Sequence, residues 1–248
     1  KMSAVKNPII LIPARMASTR LPNKPLAMIA GLPMIVQVWQ RAMEADCGRV
    51  VVAAAEQEIA DAVKAVGGEA ILTDPDLPSG SDRIFQALMR VDADGKHDAI
   101  INLQGDLPTL DPQIVKTVVD ILPGHDMSTL VAETKTPEER DNPNVVKAIL
   151  SMAPQAKIGR ALYFTRSTAP SGEGPLYHHI GIYAYQRAAL EKFVSLPPSP
   201  LEQRERLEQL RGLEAGMSIA AACVDTVPVG VDAPDDLALA DRLLSAKT

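Results

Sequence analysis

Aromatic residues make up only 3% of this 248-residue chain, too few to build the stacking platforms that single-stranded nucleic acid needs. Positive charge is not in excess either. The 25 Lys and Arg stand against 31 Asp and Glu, and the net charge of −6 is opposite in sign to the field of a nucleic-acid binder. Cysteine is nearly absent: Cys47 and Cys223 lie far apart with no further ligand at metal spacing. That argues against a disulfide scaffold or structural zinc and for reduced thiols in a cytoplasmic protein. No apolar run is long enough to span a bilayer and no secretory leader pattern is seen, so no membrane insertion is expected. The patterns G-x-G-x-x-G, G-x-x-x-x-G-K-[ST] and G-x-S-x-G are also missing. Their absence argues against a dinucleotide fold, a P-loop and a serine nucleophile elbow.

What is present is a 46% apolar composition, ample for a full core, and a regular alternation of elements. Ile9–Ile12 is an unbroken apolar run of the kind that forms a strand buried on both faces in a parallel sheet. Helical spacing over Met34–Ala45, a second apolar run at 49–55, a helix over 56–66 and a short strand at 69–72 follow. A Pro/Gly/Ser-rich loop at 74–81, a helix over 82–91 and a strand at 99–103 continue the α/β order. The middle third reads as strands at 128–133, 145–149, 161–165 and 180–185 without long helices between them, which predicts an antiparallel or mixed extension. A charged helix over 199–216, a strand over 219–224 and a helix beginning at Pro234 close the chain.

The first strand empties into a loop with three cations, Arg15, Arg20 and Lys24, interleaved with small Ala14, Ala17 and Ser18. Ligands of parallel sheets bind beyond the strands' carboxyl ends, so this loop has the make-up of a polyphosphate site. Arginine forks and a lysine point charge suit phosphate oxygens, and the small residues let the backbone approach. A basic surface loop is the plain alternative. Strand 99–103 ends in Gln104-Gly105-Asp106 at the same rim, which offers a carboxylate for magnesium or, more plainly, a turn-forming aspartate. A second carboxylate, Asp232, precedes Pro234 and suits either a metal or a helix N-cap. Asp111 reads as the cap of its own helix, and Asp235 and Asp236 as first-turn charges.

The run Pro13-Ala14-Arg15-x-x-Ser18-x-Arg20-Leu21-Pro22-x-Lys24-Pro25-Leu26, followed by Gly31-x-Pro33-Met34-Ile35, resembles the signature of the sugar cytidylyltransferases and, within them, the CMP-Kdo synthetases. The resemblance extends from about Ile9 to Leu239 and implies a single Rossmann-like nucleotidyltransferase domain over 1–248, core about 9–244. Its central sheet is expected to be mainly parallel, with a small mixed extension and a dimerisation arm within about 125–180 of a homodimer. It implies transfer of CMP from CTP to the anomeric hydroxyl of 3-deoxy-D-manno-octulosonate (Kdo), releasing pyrophosphate and activating the sugar for lipopolysaccharide biosynthesis. Ala14, Arg15, Arg20, Lys24, Gln104 and Asp106 then bind CTP, and Asp106 and Asp232 hold Mg2+. The catalytic set so implied is Arg15, Lys24, Asp106 and Asp232.

Ser79-Gly80-Ser81-Asp82-Arg83 resembles a nucleotide-binding segment of that family, although a capping turn with Ser81 as cap and Arg83 as a surface residue explains it equally well. The acidic sugar needs a charge-assisted partner and hydroxyl contacts. The family places sugar-binding residues in the segments of Arg166 and of His179, within His178-His179-Ile180-Gly181-Ile182-Tyr183, and Tyr183 and Gln104 would complete that shell. In the Leu-Glu-Gln-Leu-Arg run, which also resembles the family, Glu208 and Gln209 suit sugar hydroxyls as a carboxylate and an amide. A core tyrosine and a solvated helix face are the plain explanations of Tyr183 and the charged helix. Lys147, in Asn142-Pro143-Asn144-Val145-Val146-Lys147, is a further weak candidate.

Three departures stand out: Leu107 where the family pattern carries Glu, Ala53-Ala54-Ala55 for Ala-Thr-Asp, and Leu77-Pro78 for His-Gln. They leave open a related acidic sugar, such as 8-amino-Kdo or a sialic acid, and a degenerate nucleotide-binding regulator. A glycosyltransferase that consumes a nucleotide sugar is disfavoured by the triphosphate-type loop.

Overall fold

The computed structural model describes residues 4–246. They form two compact units, Lys6–Lys116 with the segment from Pro228 onward, and Thr117–Val227. In the first, β1 (Pro8–Ala14) leads through a 3-10 turn (Lys24–Leu26) and a small hairpin, β2 (Met28–Ile29) and β3 (Leu32–Pro33), into α1 (Met34–Glu44). Then come β4 (Arg49–Ala54), α2 (Gln57–Ala65), β5 (Ala70–Leu72), α3 (Gly80–Val91), β6 (Ala99–Asn102) and α4 (Pro112–Asp120), which carries the chain onward.

Apart from the antiparallel β2–β3 hairpin, the strands of this unit are parallel in the order β5-β4-β1-β6. Ile9, Ile10, Leu11 and Ile12 have no exposed surface, as their unbroken apolar run requires for a strand covered on both faces. From β1 the chain builds outward to β4 and β5, then returns to lay β6 on the other side of β1. The reversal creates a switch point between β1 and β6, where the loops after the two strands diverge and leave a crevice.

The inserted unit holds β7 (Met127–Glu133), α5 (Pro137–Asp141), β8 (Lys147–Ser151), β9 (Ile158–Thr165), β10 (Tyr177–Gln186), α6 (Arg187–Ser195), α7 (Pro200–Glu205), α8 (Gln209–Glu214) and β11 (Ile219–Val224). Its strands pair in the order β10-β7-β11-β9-β8, and β10 also pairs with β8, so the pairings close on themselves. All of these pairings are antiparallel except β7 with β11, which gives the expected mixed extension. Helix α9 (Pro234–Ser245) returns to the first unit, where Asp241 accepts the Ala30 N–H at 2.7 Å and Val231, Ala240 and Leu244 bury against Ile29 and Met34.

Two helix expectations need correction. The charged segment 199–216 is two helices, not one. At the start of α7 Glu202 accepts the Ser199 N–H at 2.9 Å, and Arg206 takes a left-handed conformation (φ 57°) that ends it before α8 begins. Helix α3 starts at Gly80 rather than 82, because the cap is Ser79, whose hydroxyl accepts the Asp82 N–H at 3.1 Å; Ser81 is buried in the first turn. Helix α6 was not foreseen.

Candidate active site

The crevice at the β1/β6 switch point is a cavity of ≈ 400 Å³. Ala14, Arg15, Arg20, Lys24, Ser79, Gly80, Gln104, Asp106 and Asp232 all line it, so nine of the residues singled out from sequence are brought to one place. Ser81 is not among the lining residues. Gly105 makes the close approach possible: a Cβ there would stand 2.8 Å from the Pro13 carbonyl oxygen. Gln104 donates from Nε2 to Asn102 Oδ1 at 3.1 Å, which fixes its amide at the rim.

Lys24 is the electrostatic centre. Its ammonium lies 3.0 Å from Asp106 Oδ2 and 3.0 Å from Asp232 Oδ1, and Arg20 Nη2 lies 3.2 Å from Asp232 Oδ2. Burial opposes the charge on Lys24, but the two carboxylates outweigh it and raise its pKa above the ordinary lysine value. Asp232 does not cap α9. Ala233 occupies that position, and Asp236 accepts the N–H groups of Asp232 and Ala233 at 3.0 and 2.9 Å, leaving the Asp232 carboxylate to face the cations. Its segment is held by Val231 N–H, which donates to the Asp106 carbonyl at 2.9 Å.

Arg83 is a buried residue, not a surface one, with 2% exposure. It donates to Thr73 Oγ1 at 2.7 Å, to the Asp74 carbonyl at 2.9 Å and to the Pro75 carbonyl at 3.2 Å, so it brackets the loop that forms one cavity wall. Burial lowers its pKa, Glu56 opposes that, and Arg15 adds to it. Glu56 went unnoticed in the sequence. Its Oε2 accepts the Met16 N–H at 2.9 Å and so ties the cationic loop to the start of α2.

The residues expected to hold the sugar lie in the inserted unit. Arg166, at the end of β9, donates to the Glu205, Pro143 and Arg206 carbonyls at 2.9, 3.1 and 3.5 Å. The Glu205 carboxylate in turn accepts from Thr165 Oγ1 and Arg166 N–H at 2.8 and 3.0 Å. His179 packs edge-on to Phe164 and tilts against Tyr183, with ring centroids 4.9 and 5.4 Å apart. A register shift in β10 between Ile180 and Tyr183 leaves carbonyls turned toward Thr129, whose hydroxyl donates to the Ile182 carbonyl at 2.8 Å. With that proton committed, Thr129 accepts from His179 Nε2 at 3.0 Å. Burial, with His178 adding to it, lowers the His179 pKa to about 3. His179 is therefore a neutral imidazole with Nδ1 as its acceptor.

Tyr183 is buried and its pKa is raised well above the ordinary value by burial, by Tyr185 and by Glu208. Gln209 is 6% exposed, yet its Nε2 has no hydrogen-bond partner among the described residues, a donor held ready in the interior. Glu208 stands 3.9 Å from Arg211, whose closer partner is Glu202 at 2.6 Å. Lys147 is fully buried and donates to the Asn142 carbonyl at 2.7 Å, beside the Pro143 carbonyl that Arg166 uses. It ties down the loop next to the Pro143 carbonyl.

The profile of the cytidylyltransferase family matches residues 9–219. The chain belongs to this family. It is 65% identical to the 3-deoxy-manno-octulosonate cytidylyltransferase of Parvibaculum lavamentivorans over 98% of this chain and 94% of that one. It is 62% identical to the protein of the same name from Rhodospirillum centenum over 99% and 96%. Among solved structures, CMP:2-keto-3-deoxy-manno-octonic acid synthetase complexed with CTP matches this cytidylyltransferase with a TM-score of 0.89 and 36% identity, covering 98% of this chain and 100% of that one. The α/β fold expected from the sequence is thereby borne out.

Proposed function

We propose that this cytidylyltransferase joins CMP from CTP to the anomeric hydroxyl of Kdo and releases pyrophosphate. The observation that carries the reading is the convergence of Arg15, Arg20 and Lys24 with Asp106 and Asp232 on one crevice, in a fold shared with a CTP-bound synthetase. The sugar oxygen forms a bond to the α-phosphorus, the bond from that phosphorus to the β-phosphate bridge breaks with its electron pair leaving on pyrophosphate, and the hydroxyl proton passes to solvent water. Charge builds on the leaving pyrophosphate. Arg15 and Arg20 offer it planar forks and Lys24 a point charge, so the protein's part is positioning and neutralisation. Arg166 meets the sugar carboxylate, the His179 Nδ1 accepts from a hydroxyl, and Gln209 Nε2 donates to another.

Asp106 and Asp232 fit a magnesium ion, since an ammonium already lies 3.0 Å from an oxygen of each, and magnesium is commonly held by two carboxylates plus substrate phosphates. When bound, the metal supplies charge neutralisation on the phosphate oxygens. We also propose a homodimer. It is supported by Ile158 and Leu162, two apolar residues of β9 that are 55% and 47% exposed, and sedimentation tests it. No helix among the described residues is long and apolar enough to cross a membrane.

The test is pyrophosphate release from CTP and Mg2+ with Kdo, 8-amino-Kdo or a sialic acid supplied singly. Release with Kdo alone is the expected result. Release with another sugar alone reassigns the substrate, and CTP binding without release under all three overturns the enzymatic reading in favour of a nucleotide-binding regulator.

A further inference from the structure

The metal carboxylates do not face open solvent as a bare pair. Two of the three loop cations are already on them: Lys24 bridges Asp106 and Asp232, and Arg20 holds the second oxygen of Asp232. Lys24 is the less exposed of the two, with 16% of its side chain accessible against 67% for Arg20. Arg15 lines the same cavity but pairs with neither carboxylate among the described residues.

An ammonium 3.0 Å from an oxygen of each carboxylate occupies the space where a divalent ion would bind the same two oxygens at about 2.0–2.1 Å. The two cations exclude each other. The backbone beneath Lys24 is fixed: Asn23 is left-handed (φ 55°), its carbonyl accepts the Leu26 N–H at 2.9 Å, and Pro25 is buried. The movable part is the four-carbon side chain. It leaves the carboxylates only for another anion within reach, and the triphosphate is that anion.

We infer that Lys24 holds the place of the divalent cation until nucleotide arrives, so that the metal enters the Asp106–Asp232 pair only once a triphosphate has drawn the ammonium away. The inference rests on the metal site proposed above. Lys24 then has two successive partners, first the metal's carboxylates and afterwards the substrate's phosphates, and this sets the order of assembly. By linkage, whatever lowers the hold of Lys24 on the carboxylates raises metal affinity in the absence of nucleotide.

The experiment is titration of the nucleotide-free protein with Mn2+, followed by the loss of the free-ion paramagnetic resonance signal, so no turnover is needed. Lys24→Met is expected to bind Mn2+ at least about tenfold more tightly than the native protein, and Arg15→Met to stay within about twofold of it. The second arm separates occupancy from general charge, because each variant removes one positive charge from the same cavity. Equal affinity of the native protein and Lys24→Met overturns the inference, as does an equal gain from Arg15→Met. Lys24→Ala replaces Lys24→Met if circular dichroism shows the latter misfolded. Lys24→Met/Asp106→Asn is expected to lose the gained affinity; if it keeps it, the metal-site reading fails on its own account.

Discussion

Glu205 offers the sharpest test of how the inserted unit holds its site. Its carboxylate takes the Thr165 hydroxyl at 2.8 Å, the Arg166 N–H at 3.0 Å and the Tyr163 hydroxyl at 3.4 Å. Hydrogen bonds to a charged acceptor contribute about 1.5–3 kcal/mol each, so the two short ones set the scale. The residue is half-buried and water replaces part of what is lost, so Glu205→Ala is expected to cost about 2–4 kcal/mol, and Glu205→Gln less because it keeps one accepting oxygen. Burial pushes the Glu205 carboxyl up, but the bonds from Arg166, Thr165 and Tyr163 outweigh it and hold its pKa below the usual carboxylate value. A depressed carboxylate stabilises the folded state above its unfolded pKa, about 4.3, and that contribution fades as pH falls through the lower folded value. Urea unfolding at neutral pH and again below about pH 4 should therefore show the gap between native protein and Glu205→Ala wide in the first case and narrowed in the second. The variant should also raise the KM for Kdo more than the KM for CTP, because Arg166 loses its backbone anchor. A neutral-pH difference under about 0.5 kcal/mol, or a gap that does not change with pH, would refute the reasoning.

Thr129→Val removes the acceptor of His179 Nε2 and the donor to the Ile182 carbonyl, and is expected to cost about 1–3 kcal/mol in urea unfolding and to raise the KM for Kdo. Because burial lowers the His179 pKa to about 3, sugar binding should show no inflection from it between pH 6 and 8. A histidine lowered on folding binds its proton more readily when unfolded, so native stability falls as pH drops from about 6.5 toward the folded value, and His179→Asn should flatten that slope. Gly105→Ala places a methyl group 2.8 Å from the Pro13 carbonyl oxygen and should cost about 1–3 kcal/mol while weakening CTP binding measured by calorimetry.

The convergence of the cationic loop and Asp106 on one crevice was legible because these parts follow strands whose character is written locally. Ile9–Ile12 could only be a doubly covered strand, and the cations that follow it had to emerge at its carboxyl end. The cap of α3 was legible too: Ser79 and Asp82 have the Ser-x-x-acid spacing, whereas Ser81 has no acid three residues on. What was missed lies in contacts between distant positions. Glu56 meets the amide of Met16, forty residues away, and Glu205 meets Arg166 across thirty-nine. Neither acid has a local pattern that separates it from a solvated helix charge. The break at Arg206 was hidden because a left-handed arginine carries no composition signal of the kind glycine gives. The neutral state of His179 follows from burial, the shifted register of β10 and a threonine on β7, none of which the motif around it shows.

The departures from the family pattern look different once the side chains are placed. Leu107, where the pattern carries an acid, is 8% exposed and is absent from the residues lining the crevice. A Cβ at Gly230 would meet its Cδ2 at 3.7 Å, so the leucine packs under the segment that presents Asp232. Replacing an acid there removes no carboxylate from the pair that Lys24 bridges; it adds apolar support behind one of them. The run Ala53-Ala54-Ala55 likewise ends β4 with small buried residues, and the next residue, Glu56, supplies an acceptor to the cationic loop from the position immediately following. The charges of Arg83 and Arg15 repel, and Glu56 opposes the lowering of the Arg83 pKa beside the crevice. The chemistry of the crevice thus depends on a balance between three loop cations, the buried arginine and three carboxylates. The residues that set this balance, Arg15, Arg20, Lys24, Arg83, Asp106, Asp232 and Glu56, all stand at or beside the crevice, so its charge pattern does not depend on an acid at position 107.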